Sequence, residues 1–442
     1  MQQVKVCKFG GSSVSTSESL KKIVDIILSD DTRKYIVVSA PGKRFKEDTK
    51  VTDLLFKCYN ELLVDGNCDA TYDLISQRFI SIAHGNTKTL DVKALLDSVK
   101  QEIYQSKDCQ AFVISRGEYI MARIMADTLG FPFVDSKDLI RFDGMDNLNT
   151  LFTNEKIKTI LANYPVAVIP GFYGMNSIGR TVIFSRGGGD VSGALVARGV
   201  SACVYENWTD VDGFLVADPR IVDDPRIIKR LTYREIRELS YMGANVIHQD
   251  AMFPVKVAGI PINIRNTFNP SAQGTMIMPK REYIENDDEI VTGIAGKKGF
   301  SIIHIEKAMI NGEVGFIRRV LTVLEHYGIV LEHIPSSIDS ISLVIANESL
   351  RDCNFPALVE EIRESVEPDN ISIHEDIALI ATVGAGIPQR TNIGARMFGA
   401  LAAADISVQL IDMGASELNV IIGVYEKDFE KAIRTIYSEF IR

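Results

Sequence analysis

Over the first 280 residues, apolar runs of five or six residues alternate with longer amphipathic stretches, and this alternation is the strongest constraint on the fold. Val4–Phe9, Tyr35–Ser39, Ala111–Ser115, Pro165–Ile169 and Ala202–Glu206 read as strands. Ser17–Leu28 and Tyr119–Leu129 carry the apolar spacing of helices, and Lys256–Asn266 reads as a helix end followed by another strand. Strands that alternate with helices build a sheet covered on both faces. The expected class is therefore α/β, an αβα sandwich with a mainly parallel sheet.

Beyond residue 300 the chain repeats itself. Ile329 aligns with Ile406, Val320 with Met397 and Leu324 with Leu401, each at an offset of 77 residues. Each copy reads strand, helix, strand, strand, helix, the pattern of a small duplicated α+β module. The second copy ends on a helix and lacks an obvious last strand. The strand-like 370–375 fits either copy, which suggests that the two are interlaced. The polar, charged stretch 278–292 reads as a linker. The expected partition is a first domain at 1–280, a linker at 281–299, and modules at 300–370 and 371–442.

Composition narrows the function. The 442 residues exceed what one core holds. A formal net charge of −10 argues against a nucleic-acid binder, which needs a basic face. The six cysteines include no C-x-x-C pair, a pattern of reduced thiols in a cytosol. No signal peptide and no apolar run of ~20 residues is present, so a cytoplasmic protein without membrane or nucleic-acid partners is expected.

Five stretches look chemical: "KFGGSSV" from Lys8, "VVSAPG" at 37–42 with "VTDLL" at 51–55, "SRGE" at 115–118, "PGFYG" at 170–174 with "FSRGGGDVSG" at 184–193, and "NWTDVDGFLVADPR" at 207–220. Four of them place glycines or hydroxyls directly after a strand-like run, at the sheet edge where α/β proteins bind ligands. Lys8 beside Gly10, Gly11, Ser12 and Ser13 suits an anion, with Ser12 or Ser13 capping the helix from Ser17. Asp190 is expected at the N-cap of a helix at 191–198, either as a plain cap or as a group orienting Lys8 or a metal. "TDVDG" reads as an exposed acidic turn or an adenosine-hydroxyl contact. An EF-hand reading fails because Ile221 stands where the twelfth-position Glu belongs. Walker A, protein-kinase, zinc and triad signatures are all missing.

In this order, the five stretches resemble the aspartate kinases of the amino-acid-kinase fold, and the carboxyl half resembles their paired ferredoxin-like ACT modules. The resemblance implies transfer of the ATP γ-phosphate to the side-chain carboxylate of L-aspartate. The product is 4-phospho-L-aspartate, the first step toward lysine, threonine and methionine. It also implies roles. Lys8 and Asp190 are catalytic, Asp190 fixing the lysine. Ser39, Thr52, Glu118 and Arg186 bind the amino acid, Glu118 at its α-ammonium and Arg186 at its α-carboxylate. Lys8, Gly10, Gly11, Ser12, Thr209, Asp210 and Arg220 face ATP, with Mg²⁺ held mostly by ATP oxygens and water. No protein metal site is expected. Met309, Glu332, Ser336 and Ser337 match the neighbourhood where lysine sits in lysine-regulated relatives, and the effector expected is lysine, threonine or both. A homodimer or higher homo-oligomer is expected.

The sequence departs from the family pattern at Leu215, Gly189, Val191 and Asn245. Asn245 stands where the family carries a lysine near the ATP phosphates, so Asn245→Lys is expected to lower the KM for ATP. Two alternatives stay open: a weak or silent amino-acid sensor on a kinase scaffold, and a kinase of the same fold with another acceptor, such as glutamate, acetylglutamate, carbamate or a nucleoside monophosphate.

Overall fold

The computed structural model describes residues 3–185, 187–244, 249–279, 290–387, 390–413 and 418–441. The chain forms two compact units. The first holds residues 1–214, 227–233 and 246–281, and the second holds 215–226, 234–245 and 282–442.

In the first unit the elements run β1 (Lys5–Phe9), α1 (Ser17–Leu28), β2 (Arg33–Val38), α2 (Val51–Val64), α3 (Asp69–Ala83), α4 (Val92–Gln105), α5 (Gln110–Leu129), α6 (Ser136–Leu139), α7 (Thr150–Leu161), β3 (Ala167–Pro170), β4 (Tyr173–Met175), β5 (Thr181–Ile183), α8 (Gly188–Gly199), β6 (Val204–Thr209) and β7 (Arg230–Thr232). Helix α9 (Tyr233–Tyr241) lies almost wholly in the second unit, and α10 (Gln249–Ala258), β8 (Ile262–Asn266) and β9 (Thr275–Met278) complete the first. The seven-stranded sheet has the order β3-β2-β1-β6-β8-β9-β7. Strands β3, β2, β1, β6 and β8 are mutually parallel, and β9 turns antiparallel to β8. The expected α/β class holds.

The apolar runs are buried because helices cover both faces. Phe9, Ile36, Val38 and Trp208 pack against Leu20, Ile23, Leu55 and Met121. Helix α1 starts at Ser17, where the spacing put it, but its cap is Thr16. Thr16 and Ser19 exchange side-chain and backbone hydrogen bonds in a capping box. Ser13 instead bonds the Thr267 hydroxyl at 2.8 Å. Ala111–Ser115, read as a strand, is the first turns of the twenty-residue helix α5. A short apolar run does not distinguish a strand from a helix buried on most sides, and fourteen of the twenty α5 residues are buried.

In the second unit β10 (Gly293–Glu306), α11 (Phe316–His326), β11 (Leu331–His333), β12 (Ser340–Ala346), α12 (Asn347–Leu350), α13 (Phe355–Val366), β13 (Asn370–Val383), α14 (Ile393–Ala403), β14 (Val408–Asp412), β15 (Asn419–Tyr425) and α15 (Phe429–Phe440) follow in order. They form one six-stranded sheet, β11-β12-β10-β13-β15-β14. The 77-residue offset superposes α11 on α14, and all six residues that revealed it are buried.

The second repeat's missing strand comes from upstream. Gly293–Lys298 pairs with Ala378–Val383, while Phe300–Glu306 pairs with β12 and with the first half of β13. Each repeat then has its strands in the ferredoxin-like order 4-1-3-2, the two sharing β10 and β13. Residues 293–299, read from composition as linker, are therefore sheet. Helix α9 packs into this unit: Glu235 accepts from the Thr292 hydroxyl at 2.6 Å and the Ala385 N–H at 2.9 Å, and Glu238 accepts from Asn419 at 2.7 Å.

Candidate active site

The carboxyl ends of β1, β2, β3 and β6 meet at one edge of the first sheet. Backbone hydrogen bonds stitch the loops leaving them: Gly10 N–H to Trp208 O (3.0 Å), Ser39 N–H to Phe9 O (3.1 Å), Gly42 N–H to Gly11 O (2.7 Å) and Gly171 N–H to Val38 O (2.9 Å). A Cβ on Gly11 would sit 2.9 Å from the Ala40 carbonyl, so the first two loops touch only because no side chain separates them.

Lys8 projects from β1 onto the α8 face and is 8% exposed. Its ammonium lies 2.5 Å from Asp190 Oδ1. Asp190 is not the N-cap. Gly187 is, with φ of 57°, and Asp190 occupies the first turn of α8. The three glycines before it serve different needs. Gly187 takes the left-handed conformation. A Cβ on Gly188 would lie 2.6 Å from the Phe172 ring, and one on Gly189 2.6 Å from Ser39 Oγ and 3.3 Å from Lys8 Cε. Gly189 thus lets α8 begin directly against Lys8 and Ser39. Phe172 also holds a positive φ of 79°, its N–H donating to Ser192 Oγ at 2.9 Å. A bulky residue there stores strain.

Glu118 comes to the same edge from the middle of α5, not from a helix start. Gly117 allows this approach, because a Cβ there would press 2.8 Å from the Ala40 Cβ. Glu118 is 5% exposed, accepts the Ala40 N–H, and has no partner for Oε2 among the described residues. Burial pushes its carboxyl up to about 8, against hydrogen bonds from the backbone and the Arg116 charge, which pull it down. An incoming ammonium would complete it.

Thr52 is the second residue of α2, half-buried, in a helix that starts with Val51 N–H bonded to Pro41 O. Thr209 ends β6, its carbonyl accepting Thr267 N–H at 2.9 Å and its hydroxyl donating to Asp210 at 3.1 Å. Lys8, Gly10, Gly11, Ser39, Glu118, Gly189, Asp190 and Thr209 are therefore neighbours or linked through shared loops. Ser12 follows Gly11 in the turn, its carbonyl accepting the Ser15 hydroxyl at 2.8 Å. Arg186 and Asn245 lie outside the described residues. Arg220 belongs to the second unit, where it is exposed and paired with Asp218 at 2.6 Å. In the second unit, Met309 is exposed with a φ of 61°, and its N–H bonds Asp339. Glu332 on β11 accepts the Tyr241 hydroxyl of α9, and the Ser337 N–H bonds Ser340 O. Ser336 forms an isolated bridge with Ile341.

Several contributors left no sequence signal. Arg78, 5% exposed, pairs with Asp48 at 2.7 Å and donates to the Gly42 carbonyl, bracing the loop before α2. Glu206 on β6 accepts from Arg33 (2.8 Å) and from the Trp208 indole (2.9 Å), which fixes the strand whose carbonyl holds Gly10. These partners are far apart in the chain, and no local pattern announces them. Asn207, in register with Lys8, could have been noticed as a polar residue inside a strand.

Among the described residues no group of three or more His, Cys, Asp or Glu side chains converges, and no helix is long and apolar enough to cross a membrane. An ammonium and glycine-stripped backbone gathered at the end of a parallel sheet, beside a buried carboxyl with one oxygen unpartnered among the described residues, suit an anionic ligand next to a cationic group.

Residues 3–266 match the amino acid kinase family, and residues 380–440 match the ACT domain. The chain belongs to the amino acid kinase family. It is 36% identical to aspartokinase 3 of Bacillus subtilis over 99% of this chain and 98% of that protein. Within the family, the chain is therefore an aspartokinase. It is 29% identical to a chloroplastic bifunctional aspartokinase/homoserine dehydrogenase of maize, of which it spans 50%. The crystal structure of the Clostridium acetobutylicum aspartate kinase superposes with a TM-score of 0.88 at 45% identity, over 99% of this chain and all of that one. E. coli aspartokinase III, solved with aspartate and ADP, shares the fold at 22% identity, with a TM-score of 0.70 and full coverage of both chains.

Proposed function

We propose that this chain transfers the γ-phosphate of ATP to the side-chain carboxylate of L-aspartate, giving 4-phospho-L-aspartate and ADP. The observation that carries the reading is the Lys8 ammonium, nearly buried at the first glycine turn and held by Asp190 at 2.5 Å.

The acceptor carboxylate is ionised at neutral pH, so no general base is needed. The difficulty is that one anion must attack another. An oxygen–phosphorus bond forms as the bond from the γ-phosphorus to the bridging oxygen breaks, and negative charge spreads over the transferring group. Lys8 meets that charge, with Gly10, Gly11 and Ser12 bringing backbone close to the phosphates. Glu118 takes the α-ammonium of aspartate and Arg186 its α-carboxylate, with Ser39 and Thr52 offering hydroxyls. Thr209, Asp210 and Arg220 contact the nucleotide. The Asp190 carboxylate already serves Lys8 and Asn207. A magnesium ion accompanying ATP would thus be held by phosphate oxygens and water, where it neutralises charge.

In this reading residues 1–280 are the catalytic domain, and the two repeats, 300–370 and 371–442, sense an amino-acid end product, lysine or threonine, near Met309, Glu332, Ser336 and Ser337. The working form is a cytoplasmic homodimer or higher homo-oligomer. The test is ADP release that requires both ATP and aspartate, with the acyl phosphate trapped as a hydroxamate and glutamate, acetylglutamate and carbamate as rival acceptors. Turnover with aspartate alone supports the assignment. No turnover, or a different preferred acceptor, overturns it.

A further inference from the structure

We infer that Asn207 is a positioning residue for phosphoryl transfer: it orients the Asp190 carboxylate and, through it, the Lys8 ammonium that meets the transferring phosphate. The inference rests on the aspartate kinase reading of the same site.

Asn207 pairs in register with Lys8 across β1 and β6, so both side chains leave the sheet on one face, beneath the start of α8. It is 5% exposed. Its Nδ2 donates to Asp190 Oδ1 at 3.0 Å, the same oxygen that receives Lys8 at 2.5 Å. The amide also has a buried Oδ1 with no partner among the described residues. A buried polar side chain in a strand interior is costly unless it serves a purpose, and an apolar residue would fill this position without that cost.

The purpose follows from the shared oxygen. A carboxylate facing only an ammonium can turn about it, and Lys8 would then be held in more than one orientation when ATP arrives. A neutral donor on the same oxygen takes up part of its charge and limits rotation of the carboxylate. Tyr205, on the same strand and face, holds the other end of the residue, its hydroxyl donating to the Asp190 carbonyl at 3.1 Å. The β8 neighbour in register is Ile264, so β8 adds no charge there. Among the described residues, Lys8, Asp190 and the Tyr205 phenol are the titratable groups facing Asn207 from β1, α8 and its own strand.

The test uses the full-length enzyme with Asn207→Leu and Asn207→Asp. Asn207→Leu removes the donor at similar size; kcat is expected to fall by about 10- to 100-fold while the KM for each substrate stays within about threefold. Asn207→Asp keeps the shape. At low pH its neutral carboxyl donates as the amide does. As pH rises it ionises beside Asp190 with a raised pKa, and kcat relative to wild type should fall between about pH 5 and 8. A purely structural role would not create that limb. Wild-type kcat in Asn207→Leu, or an Asn207→Asp profile parallel to wild type, overturns the inference. If the leucine variant does not fold, the aspartate variant decides. Wild-type enzyme and Lys8→Ala are run alongside. Aspartate-dependent turnover in the first and its loss in the second show that the function reading stands whatever Asn207 does.

Discussion

The edge of the first sheet and the sheet of the two repeats are built on opposite principles. At the sheet edge, Glu118 Oε2 and Asn207 Oδ1 are buried without partners among the described residues, Phe172 holds a positive φ, and Gly188 and Gly189 let elements approach closely. In the repeats, Val320, Leu324, Met397 and Leu401 are buried in apolar layers at matching positions. The first region gathers unmet polar groups at one sheet edge, and the second is organised around repeated apolar layers, with His333 Nε2 and Thr382 Oγ1 its buried polar atoms lacking a partner among the described residues. Substitutions at the edge should therefore change turnover and can even raise stability, whereas substitutions in the repeats should lower stability and leave the chemical step alone.

The largest expected effect is Lys8→Ala, which should lower kcat by about 10³-fold or more with little change in Tm, since it removes the cation facing the transition-state charge. A kcat within tenfold of wild type would erase the contrast. Next is Glu118→Gln, expected to raise the aspartate KM by about 100-fold, because a hydrogen bond to a charged partner is replaced by a neutral one. Its stability effect has a definite sign. A carboxyl raised to about 8 in the folded state binds a proton that the unfolded chain has lost above its ordinary value near 4.5. Its destabilising effect therefore grows from about pH 4.5 to about 8 and is complete above that. The glutamine variant should gain Tm over wild type at pH 8.5 and not at pH 4.5. For the same reason aspartate binding at pH 7 should release a proton, measurable by calorimetry in buffers of different ionisation heat.

Leu324→Ala and Leu401→Ala probe the other side of the contrast. Each should destabilise the second unit by about 2–5 kcal/mol, seen as an earlier calorimetric transition, with kcat without effector within about twofold of wild type. Similar losses at both positions would show that the repeats are equivalent in energy as well as register. The smallest effect is expected for Gly189→Ser. Its Cβ would sit 2.6 Å from Ser39 Oγ, and that hydroxyl can rotate away. A drop of about 3- to 30-fold in kcat/KM for aspartate is expected, and an unchanged value would show that the close approach there is not needed.

The same contrast explains what could be read from the amino acids. Apolar periodicity fixes strands and helices, so β1 and α1 were legible nearly to the residue, and the 77-residue repeat showed the register of α11 on α14. The glycine turns were visible because glycine has few other reasons to recur after strands. The Ala111–Ser115 run misled because burial on most sides removes the amphipathic stripe from a helix. The Asp190 cap was misplaced because Gly187 in the left-handed conformation begins the helix three residues earlier. Thr16 was passed over for two adjacent serines that cap equally well on composition. Arg78 and Glu206 act through Asp48, Gly42 and Arg33, partners distant in sequence that no local pattern reveals, whereas Asn207 was visible only as a polar residue inside a strand. The upstream strand of the second repeat was hidden because Gly293–Lys298 contains glycines and lysines that look like a connection.

That borrowed strand has a consequence for how the chain is made. During synthesis Gly293–Lys298 leaves the ribosome long before its partner Ala378–Val383. At ~5–20 residues per second it waits several seconds with a bare edge. A break anywhere between the repeats would make the wait permanent, leaving one fragment with an unmatched ribbon and the other with an open seam. Separated from the other, each half of the duplicated sheet would be one strand short.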